Sequence, residues 1–241
     1  MDRIILIGTG KLSEEISSFI LKYNLYEIEG YAVNRKYLNG TCYMDKPVYA
    51  IEDLEQIYNP RDIKLFITAS WYNYLNRVRI QLYDELKQRG FSFANVISPY
   101  ASIHSKSIGE GNWINDYVYL GYKSEIGNNN IFLSKVSVDH YSIIGNHNSL
   151  ISGTSIGGHV KCGNGSFFGL NSTVFNRVMV GDKCVIGGGA IASQDLEDYS
   201  LCVAPQSFIK HCSEEKIEEY ISPKHLNRTV EEFEIITKQR V

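Results

Sequence analysis

The sequence predicts a small α/β domain, then a parallel β-helix, and last a short helical C-terminal tail. The β-helix is predicted by a period. From Ile108 to Ala192 an apolar or small residue recurs at every sixth position without interruption. Such a period fits neither an α-helix nor a simple alternating strand, but it fits coils of three short flat segments stacked on one another. The α/β domain is predicted by strand-like and helix-like segments that alternate before residue 95.

Other features of the repeat agree with stacked coils. Glycine often follows the apolar residue, and four positions after that residue the chain is mostly small or β-branched. At about 18 residues per coil, residues 108–197 would form about five coils. No proline occurs between Pro99 and Pro205, as expected where every backbone N–H is needed for the ladder. The apolar series is Ile108, Ile114, Leu120, Ile126, Phe132, Val138, Ile144, Leu150, Ile156, Cys162, Phe168, Val174, Val180, Ile186 and Ala192.

Three domains follow from this division: 1–95, 96–210 and 211–241. The order of strand, helix and strand in the first predicts a parallel sheet with right-handed crossovers, typical of a short Rossmann-like domain. The third would be helical and could cap the open end of the coils. The predicted strands are 3–7, 29–33 and 65–68. The predicted helices are 13–22, 74–89 (closed by Gly90), 213–220 and 229–240, the last two separated by Ser222-Pro223.

Composition excludes several classes of protein. Hydrophobic residues make up 44% of the chain, and no apolar run approaches the length of about 20 residues that a membrane span needs. The apolar run near the start is too short for a signal peptide. A net charge of −3 without a basic block argues against a nucleic-acid partner. The 5 cysteines have no CxxC spacing, so we expect reduced thiols in a cytoplasmic protein and no zinc site.

The loop after the first strand is a candidate phosphate site. Gly8, Thr9, Gly10 and Lys11 lie between a strand and a helix, where backbone N–H groups and the helix dipole favour anions. The third glycine of a dinucleotide fingerprint is absent, and no acidic residue ends the second strand. The loop therefore favours the phosphate of a smaller nucleotide over NAD, with an ordinary turn as the alternative.

Three more residues could complete that site. Asn34 follows the second strand, at the edge where such sheets bind ligands, and its amide could pair with a base. Ser70 follows the third strand, and Arg77 lies one turn into the next helix; both could reach a phosphate. Asn34 could equally be a simple turn residue, and Arg77 a solvated surface residue.

His140 is the candidate catalytic residue. It stands third in its hexad, away from the interior, and the equivalent residue one coil later is Gly158. A histidine beside a bare glycine leaves room for a ligand along the stack. Neutral imidazole can take a proton from an attacking amine or hydroxyl near pH 7.

These motifs together resemble a known family. The Gly8–Gly10 loop, the segment 93–103, the coils, and Val138-Asp139-His140 followed by Ile144-Gly145 look like the bacterial sugar acetyltransferases of the NeuD/PglD type. The likeness covers roughly residues 2–210. It implies a left-handed β-helix and a homotrimer whose active sites lie in the grooves between neighbouring β-helices.

The resemblance also implies chemistry and roles. The donor would be acetyl-CoA, the acceptor an amino sugar linked to UDP, dTDP or GDP, and the product a precursor of bacterial surface glycans such as the O-antigen of lipopolysaccharide; no metal is implied. By the motif match, His140 is the base, Gly158 and Gly188 are backbone contacts to CoA on different faces of the coil, and the Gly8–Gly10 loop with Asn34 belongs to the nucleotide pocket.

The chain departs from the family pattern beside the histidine. The usual acidic residue after it is Tyr141 here, and Asp139 precedes it instead; either could hold the other ring nitrogen of His140. The frequent second histidine is replaced by Ser149, which would stand at a coenzyme contact.

Three alternatives remain open. The enzyme could acetylate a hydroxyl of sialic acid or another sugar instead of an amine. Tyr141 and Ser149 are also compatible with a catalytically silent binding subunit. A carbonic anhydrase on the same fold would need zinc on His140, His147 and His159.

Overall fold

A computed structural model of the chain describes residues 2–69, 75–205, 207, 209–214 and 216–217. Its contacts divide the chain into two units, Met1–Ala204 and Pro205–Val241. The first unit opens with an α/β domain that contains two short 3-10 helices, Arg35–Tyr37 and Ile51–Asp53. Its other elements are β1 (Arg3–Ile7), α1 (Lys11–Tyr23), β2 (Glu27–Val33), β3 (Cys42–Tyr43), β4 (Lys46–Ala50), α2 (Leu54–Ile57), β5 (Lys64–Ile67), α3 (Arg77–Gln88) and β6 (Ser92–Phe93).

These strands form one mixed sheet in the order β3-β4-β2-β1-β5-β6. Every neighbouring pair is parallel except β3 with β4. The central strand β1 lies between β2 and β5, so the loops after these three strands meet at one edge of the sheet. That edge carries Gly8, Asn34 and Thr68.

The sequence predicted the central strands but not the sheet edge. The three expected strands and both expected helices of this domain are confirmed, although the predicted start of the second helix at Tyr74 lies outside the described residues. Gly90 has φ +87° and donates its N–H to the carbonyl of Lys87, as the predicted cap requires. The predicted strands pair in parallel as expected, but the sheet as a whole is mixed, because β3 is antiparallel to β4. Pro47 in β4 hid this pair, since proline in a short run argues against a strand.

From Val96 the chain winds as a parallel β-helix with three walls of two-residue strands. The first wall contains β7 (Val96–Ile97), β10 (Trp113–Ile114), β13 (Ile131–Phe132), β16 (Ser149–Leu150), β19 (Phe167–Phe168), β22 (Val185–Ile186) and β24 (Leu201–Cys202). The second contains β8 (Ser102–Ile103), β11 (Tyr119–Leu120), β14 (Ser137–Val138), β17 (Ser155–Ile156), β20 (Thr173–Val174) and β23 (Ile191–Ala192). The third contains β9 (Ser107–Ile108), β12 (Glu125–Ile126), β15 (Ile143–Ile144), β18 (Lys161–Cys162) and β21 (Met179–Val180).

We call the turns after the first, second and third walls the first, second and third corners. Each coil pairs in register with the next, for example Ser137 with Ser155 and Val138 with Ile156, which confirms the period. The stack begins earlier than the repeat, at Val96, so it is longer than the five coils expected. Two rows of the repeat point into the coils: the apolar position and the position four residues after it. Hydrophobic residues of both rows form one buried core that runs from Ile114 to Ala192.

Asparagine ladders close the third corner. Asn130 and Asn148 are fully buried, and the Asn130 Oδ1 accepts the Asn148 backbone N–H at 2.8 Å. The Asn112 Oδ1 accepts the Asn130 N–H in the same way at 2.9 Å. Side-chain amides thus satisfy backbone groups where the chain leaves the strands, as buried polar groups require. A second, parallel ladder is formed by Asn128, Asn146, Asn164, Asp182 and Asp198.

The α/β domain covers part of the first wall. The outward side chains of Trp113 and Ile131 are buried and pack in one cluster with Ile16 and Ile20 of α1. The Phe19 ring meets Trp113 edge-on at 6.1 Å between centroids. Burial of these apolar side chains supplies the main attraction between the two regions.

A carboxylate ties α3 to the first coil. Glu110 accepts hydrogen bonds from the Tyr83 hydroxyl and the Phe93 N–H, both at 2.9 Å, and pairs with Lys87 at 2.6 Å. Burial opposes ionisation of this carboxyl, but the hydrogen bonds from Lys87, Phe93 and Tyr83 outweigh it and lower the pKa of Glu110. The ionised form is therefore the one that the fold stabilises.

A buried arginine makes a second tie, which the sequence did not predict. Arg79 is fully buried; its guanidinium donates to the carbonyl of Ile67 and, at 3.2 Å, to that of Gly111. It lies over the Phe66 ring, 5.6 Å from the centroid. Burial lowers the pKa of Arg79 to about 9. Arg79 therefore links the end of β5 to the first coil through backbone carbonyls.

Little of the predicted tail is described. The Ile217 N–H donates to the Ser213 carbonyl at 3.1 Å, a helical bond where the first tail helix was predicted. The second predicted tail helix and the intervening break lie outside the described residues. Among the helices that the structure describes, none has the length and apolar character needed to cross a membrane.

Candidate active site

The second corner carries the candidate catalytic residue. Its turns place Tyr122, His140 and Gly158 above one another in consecutive coils. The coils can stack this closely because Gly121 has no side chain: a Cβ there would lie 2.8 Å from the His140 backbone nitrogen. The interior position of the hexad holds Val138, so the His140 side chain is exposed on the outer surface.

His140 lies directly over Gly158, as the sequence predicted. A Cβ built on Gly158 would lie 2.7 Å from both the Nε2 and the Cε1 of His140. Real Cβ atoms do not approach other atoms this closely. Any other residue at 158 would displace the imidazole, so the glycine is what lets the ring lie along the stack.

Two aromatic rings lie beside His140 on the same corner. The rings of Tyr141 and His159 are stacked, with centroids 5.1 Å apart and an angle of 13° between the planes. The His140 ring is nearly perpendicular to both, 5.9 Å from Tyr141 and 5.3 Å from His159. The Lys123 ammonium lies 5.9 Å from the Tyr141 centroid.

Neither predicted partner of the imidazole holds it by a hydrogen bond. Within the described part of the chain, His140 forms no side-chain hydrogen bond with the carboxylate of Asp139 or the hydroxyl of Tyr141. Tyr141 contacts His140 through its ring instead. That Asp139 or Tyr141 holds the other ring nitrogen of His140 during catalysis stays a prediction.

The two predicted coenzyme glycines occupy different corners. Gly158 follows β17 on the second corner, and Gly188 follows β22 on the first. Gly188 is exposed, and a Cβ there would meet nothing closer than 3.4 Å, the carbonyl oxygen of Leu170. Their separation on two faces agrees with the sequence prediction; their contacts with a coenzyme are untested.

Ser149 requires a correction. Its side chain is only 1% exposed, and its hydroxyl accepts a hydrogen bond from the Asn76 Nδ2 at 2.9 Å. Asn76 precedes α3, so Ser149 lies under the α/β domain on the first wall, away from the second corner. Because a covered hydroxyl has no free surface for a ligand, the expected coenzyme contact does not exist at this position.

The three histidines that the zinc alternative requires are not together. His147 is on the third corner, where its Nδ1 pairs with the Asn129 Nδ2 at 2.9 Å. Burial lowers the pKa of His147. His140 and His159 lie on the second corner, so the three do not surround one point. Among the described residues no group of three or more histidine, cysteine or acidic side chains could hold a metal.

The two glycines of the loop after β1 have different surroundings. Gly8 is buried with φ +133°, and a Cβ there would lie 2.8 Å from the Thr68 Oγ1, so Gly8 is needed for packing. The Ser13 and Thr68 hydroxyls are hydrogen-bonded at 2.6 Å behind it. Gly10 is exposed, and nothing lies within 4 Å of a Cβ there. It begins α1 without a side-chain cap, which leaves the helix N-terminus open to an anion.

A depression beside this loop contains residues that the sequence analysis missed. It is lined in part by Thr9, Tyr37, Asn39 and Tyr43. The Tyr43 hydroxyl reaches the Gly10 carbonyl at 3.3 Å. Two tyrosines beside a helix N-terminus offer stacking surfaces next to a phosphate site. Tyr37 ends the 3-10 helix after β2, and Tyr43 lies in β3, which the sequence did not predict.

Of the remaining predicted residues, Asn34 and Lys11 lie at the same edge. Asn34 is half-buried and begins the 3-10 helix after β2 through its backbone, without a side-chain cap. Lys11 is exposed at the start of α1. Arg77 is exposed at the start of α3. Ser70 lies outside the described residues.

No model of a protein family matches the sequence. Solved structures do resemble the fold. A histidine-to-alanine variant of GDP-perosamine N-acetyltransferase from Caulobacter crescentus, in complex with CoA and GDP-perosamine, matches with a TM-score of 0.73 and 22% identity, over 88% of this chain and 98% of that one.

Two further structures are similar. The acetyltransferase domain of PglB from Neisseria gonorrhoeae has a TM-score of 0.71 and 19% identity, covering 85% of this chain and 97% of that chain. WeeI from Acinetobacter baumannii has a TM-score of 0.53 and 18% identity, covering 85% of this chain and 97% of that chain. At these identities the likeness establishes one point: this chain has the fold of these three structures.

Proposed function

We propose that this chain is an acetyl-CoA-dependent N-acetyltransferase that acts on an amino sugar linked to a nucleoside diphosphate. The observation that carries the proposal is the exposed His140 ring lying over Gly158 on the second corner of the β-helix. A general base needs an accessible imidazole with space for two reactants beside it. The structural neighbours crystallised with CoA and GDP-perosamine support the same substrate classes.

We infer the finer architecture in the same way. The coils are taken to be left-handed, and the α/β domain to be Rossmann-like, with domains at 1–95, 96–210 and 211–241. The strand order around β1 supports the Rossmann-like assignment, because ligands of open α/β sheets bind where the chain crosses to opposite sides of a central strand. The loops with Gly8 and Thr68 meet at that point.

Acetyl-CoA, the donor, would lie against the backbone at Gly158 on the second corner and at Gly188 on the first corner. Gly158 and Gly188 have no side chains, so an extended pantetheine arm could approach the chain closely at each. The exposure of Gly188 supports the fit. The PglB domain has also been crystallised with acetyl coenzyme A.

The acceptor nucleotide would bind at the edge of the α/β sheet. The diphosphate would face the open N-terminus of α1 at Gly10, with Thr9 and Lys11 beside it. Asn34, Tyr37 and Tyr43 would contact the nucleoside, and Ser70 and Arg77 would complete the phosphate site. An activated sugar needs such a pocket, whereas a free sugar does not.

The chemistry is acyl transfer. The acceptor nitrogen attacks the thioester carbonyl carbon, a C–N bond forms, and the C–S bond breaks. His140 takes the proton that the nitrogen loses and passes it to the departing sulfur, so the products are an amide and the CoA thiol. A backbone N–H at the groove would stabilise the oxyanion that forms on the way.

We further propose that the protein is a homotrimer with a groove shared by neighbouring β-helices. The occupant of the exposed second wall would be a second copy of this chain. Support comes from large apolar side chains that are half exposed on that wall and its two corners, namely Leu170, Phe175 and Ile191. Light scattering should give three times the mass of the chain; a monomer would contradict the shared groove.

The test of function is thiol release. Purified full chain, acetyl-CoA and a panel of UDP-, dTDP- and GDP-linked amino sugars would be assayed for free CoA thiol, after a thermal-shift screen to select ligands. Release with an amine acceptor and none with the matching hydroxyl sugar supports the proposal. Release with the hydroxyl sugar alone would indicate O-acetylation. No release with any acceptor that binds would indicate a silent binding subunit.

A further inference from the structure

The orientation of the His140 ring depends on two neighbouring rings. The Tyr141 and His159 rings are parallel within 13° and 5.1 Å apart, and His140 stands edge-to-face against this pair at 5.9 and 5.3 Å. Aromatic rings attract one another at such separations and angles. His140 is thus bounded below by Gly158 and on one side by an aromatic pair.

This arrangement differs from the usual way of holding a catalytic imidazole. A carboxylate or carbonyl commonly accepts the N–H of the second ring nitrogen and so fixes both the tautomer and the ring orientation. Among the described residues, neither Asp139 nor the Tyr141 hydroxyl makes that bond. The rings of Tyr141 and His159 do contact His140.

We propose that His159 is a positioning residue for His140. With Tyr141 it forms an aromatic wall that fixes the plane of the catalytic imidazole by ring contact rather than by a hydrogen bond. The inference rests on the proposed role of His140 as base. It gives Tyr141 a function that its ring performs and its hydroxyl does not.

The backbone makes this wall possible. Tyr141 and His159 are both in the left-handed conformation, with φ +57° and +60°, at the same position of consecutive coils. The His159 N–H donates to the His140 carbonyl at 3.0 Å, which fixes the two coils relative to each other. The side chains therefore leave the corner in the same direction and stack.

The same conformation allows a matched pair of variants. Alanine and phenylalanine both carry a Cβ, so both meet the same left-handed strain at 159 and differ only in the ring. Lys183→Ala is a control, because Lys183 is an exposed left-handed residue (φ +55°) on the third corner.

The first experiment measures thiol release by the full-length enzyme. We expect His159→Ala to lower kcat about tenfold, the size of effect that one lost ring contact allows, and to change KM for acetyl-CoA little. His159→Phe should restore kcat to near the wild-type value, and Lys183→Ala should leave it unchanged. Equal loss in His159→Phe and His159→Ala would overturn the proposal, because it would mean that the imidazole itself, not its ring surface, is needed.

The second experiment does not depend on activity. The ring-proton NMR signal of His140, assigned by its loss in His140→Gln, should shift in His159→Ala because the ring current of residue 159 is removed, and stay in place in Lys183→Ala. An unchanged signal would overturn the positioning role even in an active enzyme. A shifted signal in a protein that acetylates no acceptor would support the contact and overturn the proposed function instead.

Discussion

The imidazole of His140 occupies the space that a side chain on Gly158 would fill. A Cβ on Gly158 would lie 2.7 Å from the His140 Nε2, closer than van der Waals contact permits. Position 158 is one coil beyond position 140, so the spacing of the repeat places Gly158 directly beneath the candidate base. This pair links the period of the sequence to the proposed chemistry.

Gly158→Ala should therefore displace the catalytic ring without unfolding the protein. Gly158 does not have a left-handed φ, so alanine adds no backbone strain there. A shift of the imidazole by about 1 Å should lower kcat about 10²-fold. Thiol-release kinetics and thermal unfolding of the same samples would measure both effects.

Gly188→Ala is the matched control for that change. Its Cβ would have ordinary contact, 3.4 Å from the Leu170 carbonyl oxygen, and no catalytic group lies beneath it. We expect KM for acetyl-CoA to rise while kcat stays nearly constant. A larger fall of kcat in Gly188→Ala than in Gly158→Ala would contradict the assignment of His140.

The glycine loop permits a test that separates folding from binding. Gly10→Val adds a side chain into open space, so it should leave the fold intact and raise KM for the nucleotide-linked acceptor while acetyl-CoA binding changes little. Gly8→Ala should instead destabilise the α/β domain by about 1–3 kcal/mol, because of its φ of +133° and the 2.8 Å approach to Thr68. Urea unfolding and steady-state kinetics distinguish the two. Equal damage to both substrates in Gly10→Val would mean that the phosphate does not bind there.

The sequence predicted the parts of the fold that repeat or alternate. The hexad series defines both the coils and the outward position of His140, since the interior positions of its hexad are held by Val138 and Ser142. Ser149 was misassigned because the period shows that a residue faces out but not what covers it. The α/β domain packs over the first wall, and only its contacts, such as that of Asn76, reveal this.

Other features have no signal in a single sequence. Arg79 looks like an ordinary polar residue of an amphipathic helix, yet it is fully buried, because two backbone carbonyls happen to converge on it. Tyr37 and Tyr43 belong to a segment that contains Pro47 and only short strands. Their place beside Gly10 depends on pairing across the sheet.

Stability should depend on pH through Glu110. The pKa of this carboxyl is lowered in the folded state, so its contribution is present above its unfolded value, near 4.5, and is lost as pH falls through the folded value. Glu110→Gln should reduce the free energy of unfolding at pH 7 by up to about 1 kcal/mol, since the pair with Lys87 is partly exposed. As the pH falls from 4.5 through the lowered folded value, the variant and the wild type should converge. Urea midpoints at pH 7 and at a descending series of pH values below 4.5 would measure this; a difference that stays constant over the whole series would contradict it.

His140→Ala is the most direct test of the mechanism. The side chain is exposed and leaves the interior intact, so the fold should persist, while kcat should fall by roughly 10²–10⁴, the range for loss of a general base. Retained activity would mean that water accepts the proton and that His140 has only a structural role.

Variants of the two neighbouring residues show whether a ring contact or a hydrogen bond orients the imidazole of His140. Tyr141→Phe should be nearly silent because the ring contact remains, whereas Tyr141→Ala should lose activity. If Asp139→Asn proves the damaging change and Tyr141→Ala does not, the carboxylate must turn toward His140 when substrate binds, and a hydrogen bond rather than an aromatic wall orients the imidazole.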